Sequence, residues 1–391
     1  MRIRASHAGV LLLLNSILNA APAHGQSIVN RLGALLTEQR PEETFVPDVA
    51  AANATAATVA GLFHVELATV PVAASSGGFV YRLNPQLGLV ERASDSFGPF
   101  FTEPVLRNSR GQLSVGLGYQ SAEFTSLQGA SLRAGTFPTN AARQAGTLQP
   151  FSVDTLELEI SANTTVPFAS YGLTERLAVG AAVPITTVRF TGRRVRTVNG
   201  SSTLQSAQAG SATGLGDISL NARYLVWGGG GLRGVSIGTD LRLPTGREED
   251  LLGAGEAALR VFGIGSWEDG QLAVHLNGGF GVGGISRELF WSTATTFAIV
   301  PRVTLVGEVM GRRTSELAEV QDVYQPHPLM PGVETMRWLT ADTGTVTTFI
   351  VAGAKWNIVR SWLVNTSLLI RVTDAGLRDR VTPAVSLNYA F

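Results

Sequence analysis

Apolar and polar residues alternate with a period of two through most of the chain after residue 110. Leu113, Val115, Leu117 and Tyr119 alternate with Gln112, Ser114, Gly116, Gly118 and Gln120, and Leu156, Leu158 and Ile160 alternate with Glu157, Glu159 and Ser161. Ile218, Leu220, Ala222, Tyr224 and Val226 stand opposite Asp217, Ser219, Asn221 and Arg223; Val235, Ile237, Thr239, Leu241 and Leu243 stand opposite Ser236, Asp240 and Arg242. Leu272, Val274 and Leu276 oppose Gln271, His275 and Asn277, and Trp362, Val364, Thr366, Leu368 and Ile370 oppose Asn365, Ser367 and Arg371. A period of two puts successive side chains on opposite faces, so each run predicts a strand with one apolar and one polar face. The last run continues to the final residue, with Val381, Pro383, Val385, Leu387, Tyr389 and Phe391 on one face.

The links between these runs alternate in length. Short, turn-rich links near residues 170–174, 227–231, 268–270, 301 and 358–361 separate longer ones near 127–150, 192–213, 244–255 and 313–344. Short turns at one end and long loops at the other mark a transmembrane β-barrel, apolar outside and polar in its lumen. The count is about 14 strands if residues 79–84 and 87–93 form an opening hairpin of the wall, and about 12 if that hairpin sits with the N-terminal segment. Trp227, Trp291, Trp356 and Trp362 fall at strand ends, where an aromatic girdle is expected. Leu387, Tyr389 and Phe391 are the expected assembly signal for the barrel assembly machinery, because a free strand edge must be recognised and paired before it enters lipid.

The first 77 residues follow another pattern. Arg2, Arg4 and His7 precede an apolar stretch over 8–18 and the small residues Ala20, Ala21, Ala23 and Gly25, the layout of a secretory signal cut near Gly25-Gln26. Beyond it, Ile28, Leu32, Leu35 and Leu36 recur at helical spacing, as do Val59, Leu62, Phe63, Glu66, Leu67 and Val70. Two short amphipathic helices joined by an alanine-rich connector are predicted, and their apolar faces need a partner such as a barrel lumen. The expected organisation is a signal at 1–25, a helical plug or periplasmic segment at 26–77, and an all-β antiparallel transmembrane barrel at 78–391.

Composition bears on the same question. Apolar residues make up 45% of the chain, yet beyond the signal no run of uncharged apolar residues is long enough to span a bilayer as a helix, which takes about 20. Backbone groups in lipid must be bonded within the protein, which leaves a closed barrel. With no cysteine, disulfides and thiolate metal sites are excluded, and no cofactor is implied. Lys+Arg and Asp+Glu both number 30, so no net field draws the chain to nucleic acid.

Four motifs carry a resemblance: Gly-Leu-Gly-Asp at 214–217, Leu-Pro-Thr-Gly at 243–246, Leu-Gly-Ala-Gly at 252–255 and Tyr-Gly-Leu-Thr-Glu-Arg-Leu at 171–177. Together they resemble an outer-membrane family of transporters of the MetA pathway of phenol degradation. Residues 75–81 and Ser96-Phe97-Gly98-Pro99 resemble the opening of a related exported group. The resemblance implies a barrel distantly like the long-chain fatty-acid transporters, which admit hydrophobic compounds past an N-terminal hatch. The Asn-Pro-Ala hatch triplet of that group is missing, since Asn84-Pro85 continues with Gln86.

Chemical motifs are few. Gly234-Val235-Ser236-Ile237-Gly238 fits a nucleophile elbow and residues 279–284 fit G-x-G-x-x-G, but both lie in strand pattern with no helix following. His275 has lumen parity beside Asn277, while His64 and His327 read as solvated or plug-packed. Glu157, Glu159, Asp217, Arg223, Asp240, Arg242, Glu256, Arg260, Glu308, Arg312, Lys355 and Arg371 carry the predicted lumen parity. Such mixed charges form either ion-pair ladders that stiffen the interior or a selectivity constriction. Glu248-Glu249-Asp250 reads as a solvated loop or a loose Ca²⁺ site, and Arg193, Arg194 and Arg196 as a contact for lipopolysaccharide phosphates. The expected function is passive uptake of small hydrophobic or aromatic compounds across the outer membrane. The alternatives are a structural or adhesive barrel and an outer-membrane hydrolase.

Overall fold

The computed structural model describes residues 26–40, 46–71, 81–84, 89–92, 96–105, 110–229, 233–359, 361–374 and 376–391. The predicted signal, at 1–25, and the turn of the opening hairpin, at 85–88, lie outside the described residues. Two helices come first, α1 (Ile28–Thr37) and α2 (Val49–Ala68). Each has its N-cap: the Ser27 hydroxyl accepts from the Asn30 N–H (3.3 Å) and the Asp48 carboxylate from the Ala51 N–H (3.0 Å), meeting donors that a helix start leaves unpaired. The alanine-rich stretch expected as a connector is instead the first half of α2. Alanine has the highest helix propensity, and Asp48 starts the helix well before the apolar residues begin to recur.

The strands follow. A hairpin of β1 (Tyr81–Asn84) and β2 (Leu89–Arg92) forms a sheet of its own. The larger sheet comprises β3 (Leu113–Leu127), β4 (Ala130–Ser131), β5 (Phe137–Gln144), β6 (Pro150–Gly172), β7 (Leu177–Ala182), β8 (Ile185–Val198), β9 (Ser201–Leu215), β10 (Ile218–Gly229) and β11 (Arg233–Leu243). It continues with β12 (Ala258–Asp269), β13 (Leu272–Gly283), β14 (Glu288–Val300), β15 (Val303–Pro326), β16 (Val333–Val359), β17 (Trp362–Arg371), β18 (Leu377–Asp379) and β19 (Thr382–Ala390). β7 and β8 lie end to end against β6, interrupted at Val183 and Pro184, and β9 with β10 and β18 with β19 likewise make single spans. Among the described residues the wall therefore has 12 strands. The hairpin stands apart from it, which decides between the two counts that the sequence allowed.

The wall closes where β19 pairs antiparallel with β3, with Leu387 opposite Leu117 and Tyr389 opposite Val115. Closure pairs the first wall strand with the last, the condition for a sheet in lipid. At the long-loop end, β5 joins the outer parts of β6 and β16 and so bridges the rim above the shorter β17, β19 and β3.

Facing follows the alternation on most strands. Leu117, Leu220, Tyr224, Ile237, Leu276, Leu368 and Leu387 are exposed on the outer surface, while Gln120, Ser236, Asn365, Ser367 and Asn388 are buried within. Trp227, Trp291, Trp356 and Trp362 are all exposed, joined by Trp267. Trp338 instead lies inside, stacked on Phe137 at 5.1 Å.

β6 reverses the expected facing. Leu156, Leu158 and Ile160 are buried inward, while Glu157 and Glu159 point out, where Glu157 pairs with Arg193 at 2.7 Å. The reason is the plug: Leu32, Leu35, Leu36, Val59, Leu62 and Phe63 pack against Leu156, Leu158, Ile160 and Phe190 in one buried cluster. An apolar filling requires an apolar lumen wall, and burying such side chains stabilises by about 1.5–3 kcal/mol each. At Gly192 a side chain would begin 2.6 Å from Leu35 Cδ2, so α1 approaches the wall where β8 has no side chain.

The facing predicts a split between neighbours on β10. Leu220→Lys, on the lipid side, is expected to destabilise the folded barrel by about 2–4 kcal/mol near the midplane, whereas Ser219→Lys, pointing inward, is expected to be mild. Equilibrium urea unfolding in lipid vesicles measures both. Equal losses would reject the register.

Candidate functional site

Inward charges on the wall grip backbone and side chains of the N-terminal segment. At the short-turn end, residues 96–105 run across the lumen. Glu308 accepts from the N–H groups of Phe100, Phe101 (3.1 Å) and Thr102 (2.8 Å), and Lys355 Nζ donates to the Pro99 carbonyl at 2.6 Å. Arg223 pairs with Glu103 at 2.8 Å, and the Val105 N–H donates to Ser266 Oγ at 3.0 Å. Phe100 lies against Gly353, where any larger residue would meet its ring at 2.8 Å. These bonds meet the backbone groups of an irregular segment that is shut away from water.

At mid-barrel the wall holds the end of α2. Arg371 donates to both Glu66 oxygens at 2.8 and 2.9 Å, and Arg312 donates to the Thr69 carbonyl at 2.8 Å while standing 3.7 Å from Glu66. Nearer the long-loop end, Asp154 binds both Arg194 (2.6 Å) and Arg196 (2.7 Å). Those guanidiniums donate in turn to the Leu35 carbonyl at 3.0 Å and to Gln39 at 2.5 Å, fixing the C-terminus of α1. Cations there also complement the negative end of the helix dipole.

Between the two plugged levels lies a chamber of about 260 Å³. The end of α2 with residues 251–253 covers it on the long-loop side, and Phe100, Phe101 and Glu103 on the other. Residues 251–253 are held inward because the Asp217 carboxylate accepts from the N–H groups of Gly246 (3.0 Å) and Ala254 (2.7 Å), and the Gly253 carbonyl lies 2.8 Å from His64 Nε2. Arg223, Asp240, Arg242, Arg260 and Arg312 supply the charged lining; Phe262, Phe290, Met310 and Phe349 are among the apolar part.

Of the charges assigned to the lumen, Asp217, Arg223, Asp240, Arg242, Arg260, Glu308, Arg312, Lys355 and Arg371 all face inward. Glu157 and Glu159 do not, as described above. Glu256 sits exposed in the loop before β12, beside a smaller side cavity, since the strand begins two residues later than the alternation implied. Arg194 and Arg196 are buried on Asp154 and cannot meet lipopolysaccharide; only Arg193 points out. Asp250 accepts from the Ile28 N–H (3.3 Å) and pairs with Arg247 (2.8 Å), so it faces α1, while Glu248 stands 3.8 Å from His64 on α2. His275 is buried 2.8 Å from Ser266 Oγ, and His327 bonds the Val46 carbonyl at 2.9 Å. Ser236 lies in mid-strand on β11 with no elbow around it. Residues 279–284 run off the end of β13.

The alternation missed the plug's own polar groups, Asp48, Glu66 and Glu103, and the lumen role of 96–105. Glu66 carried a signal all the same: it is an acid on the buried stripe of α2. Glu66→Ala would leave two buried guanidiniums without their carboxylate, an expected loss of about 3–5 kcal/mol. Unfolding by denaturant would show the loss, and limited proteolysis would show α2 released first.

Known proteins give the following comparisons. No curated protein matches the chain. Among solved structures, the COG4313 outer membrane channel from Pseudomonas putida F1 is 14% identical, with a TM-score of 0.47, over 75% of this chain and 99% of that one. The NanC porin is 8% identical (TM-score 0.38; 71% and 98% covered), and the translocator domain of the autotransporter NalP from Neisseria meningitidis 10% identical (TM-score 0.38; 73% and 90% covered). Likenesses this shallow carry no argument about function. The family model described as "Putative MetA-pathway of phenol degradation" matches residues 141–314, from β5 into β15, including all four motifs and the chamber's charged strands β10 to β12. Over that stretch, a little under half of its length, the chain is similar to this family.

Proposed function

We propose that the chain is exported through its N-terminal signal and works as a passive channel of the bacterial outer membrane for small hydrophobic or aromatic compounds. One observation carries this reading: the chamber is bordered above and below by plug and loop segments, not by wall strands. Shifting those segments would open a route without breaking the β-ladder. The aromatic and aliphatic lining suits an apolar solute, and the family's description in phenol degradation agrees. A solute gradient supplies the driving force. In this reading the apolar outer wall meets lipid, the short turns face the periplasm, and the outward Arg193 is the remaining contact for lipopolysaccharide.

Leu387, Tyr389 and Phe391 serve as the signal read by the barrel assembly machinery. The Tyr389 ring packs between Trp362 (4.8 Å) and Phe391 (4.6 Å), so the aromatic end is ordered on the strand that closes the wall. Deleting Phe391 is expected to lower the amount of heat-modifiable protein in outer-membrane fractions. Normal assembly of that truncation would remove the signal's role.

Conductance in planar bilayers tests the channel itself. Deleting residues 26–71 clears the long-loop half of the lumen and is expected to raise single-channel conductance. Adding Glu308→Ala and Lys355→Ala, which free residues 96–105, is expected to raise it again. If neither change increases the current, the plugged levels are no gate and the channel reading fails.

A further inference from the structure

Arg242 is the chamber's one cation that wall and plug leave without a carboxylate, among the described residues. Arg223 has Glu103, Arg260 has Glu288, and Arg312 has Glu66 with the Thr69 carbonyl. Arg242 has only a long hydrogen bond, 3.5 Å from Nη1 to the Ala68 carbonyl. The two acids nearest in register are committed elsewhere. Asp240 accepts from Ser219 Oγ at 2.5 Å, and Asp217 accepts from two backbone N–H groups. Arg260 adds to the imbalance: it pairs in register with Asp240, two residues before Arg242, so two guanidiniums stand diagonally across adjacent strands. One Glu288 serves that corner.

A guanidinium offers five donors in a planar fork suited to two carboxylate oxygens. Around this fork the chamber is lined by Phe262, Phe290, Phe349 and Met310. Its volume of about 260 Å³ exceeds the ~150 Å³ in which a buried apolar cavity takes up benzene, leaving room for one ring and a substituent. A neutral aromatic would fill the apolar part and leave Arg242 unmatched. A small inorganic anion would match Arg242 and leave the phenylalanines facing empty space.

We propose that the chamber binds a single-ring aromatic carboxylate, with its carboxylate on Arg242 and its ring among Phe262, Phe290 and Phe349. The inference deepens the channel reading by naming a solute class and rests on it for its role in transport; the binding chemistry stands on the chamber alone.

Equilibrium titration of the purified full-length protein with sodium benzoate and with benzyl alcohol tests it, since the two probes share a ring and differ in charge. Benzoate is expected to bind at least about tenfold more tightly. Arg242→Met should bring the two probes within about threefold, and Arg242→Lys should keep part of the preference, because an ammonium retains the charge but loses the fork. Equal affinities in the unaltered chain would overturn the proposal, as would a preference that survives Arg242→Met. The unaltered chain decides alone should the methionine variant fail to reach the heat-modifiable form. Benzoate bound by a barrel that passes no current would keep this site and remove the channel; a conducting barrel indifferent to the probe's charge would do the reverse.

Discussion

A charge turned inward in a narrow barrel must find a partner, because a buried ion left alone costs several kilocalories per mole while a paired one comes near to balance. This wall turns Arg194, Arg196, Arg223, Glu308, Arg312, Lys355 and Arg371 inward, and each of these is met by a group from the first 105 residues. The N-terminal segment is thus the complement of the lumen, supplying carbonyls to cations, N–H groups to Glu308 and carboxylates to arginines. Wall and filling are each incomplete without the other.

The filling changes character along the barrel axis, and that places the chamber. In the long-loop half, α1 and α2 present leucine and phenylalanine to an apolar wall, a contact with broad area and little direction. In the short-turn half, an irregular strand of chain is held by directed hydrogen bonds one backbone group at a time. The two modes meet at the end of α2. Beyond Ala68 the helix no longer offers a face to pack, and residues 96–105 have not yet filled the space below.

Much of this was legible in the sequence. Alternation gave the strands, and the facing held wherever the lumen is polar, as on β10, β11, β13, β17 and β19. It failed on β6 because alternation reports that two faces differ, not which of them is inside; Leu158 facing α1 and Leu220 facing lipid are the same residue type in equally apolar surroundings. Alanine at 50–57 looked like a linker for want of a periodic stripe, although helix formation needs only propensity and a cap. Residues 97–102 gave no hint of lumen burial, since a segment held largely through its backbone leaves little trace in its side chains.

The partners inside the barrel are far apart along the chain: Phe100 and Glu308 by 208 positions, Glu66 and Arg371 by 305. Residues 96–105 precede β3, the first strand of the wall, yet residues 96–102 are held by β14, β15 and β16, among the last. A closed cylinder cannot be filled easily through its wall once β19 has met β3. The filling must therefore be in place, or be drawn in, while the sheet is still an open arc, and the last strands to arrive both seal the cylinder and fasten its contents. Such long loop closures have to be made before their contacts repay them, the entropic condition that slows folding of a chain dominated by distant contacts.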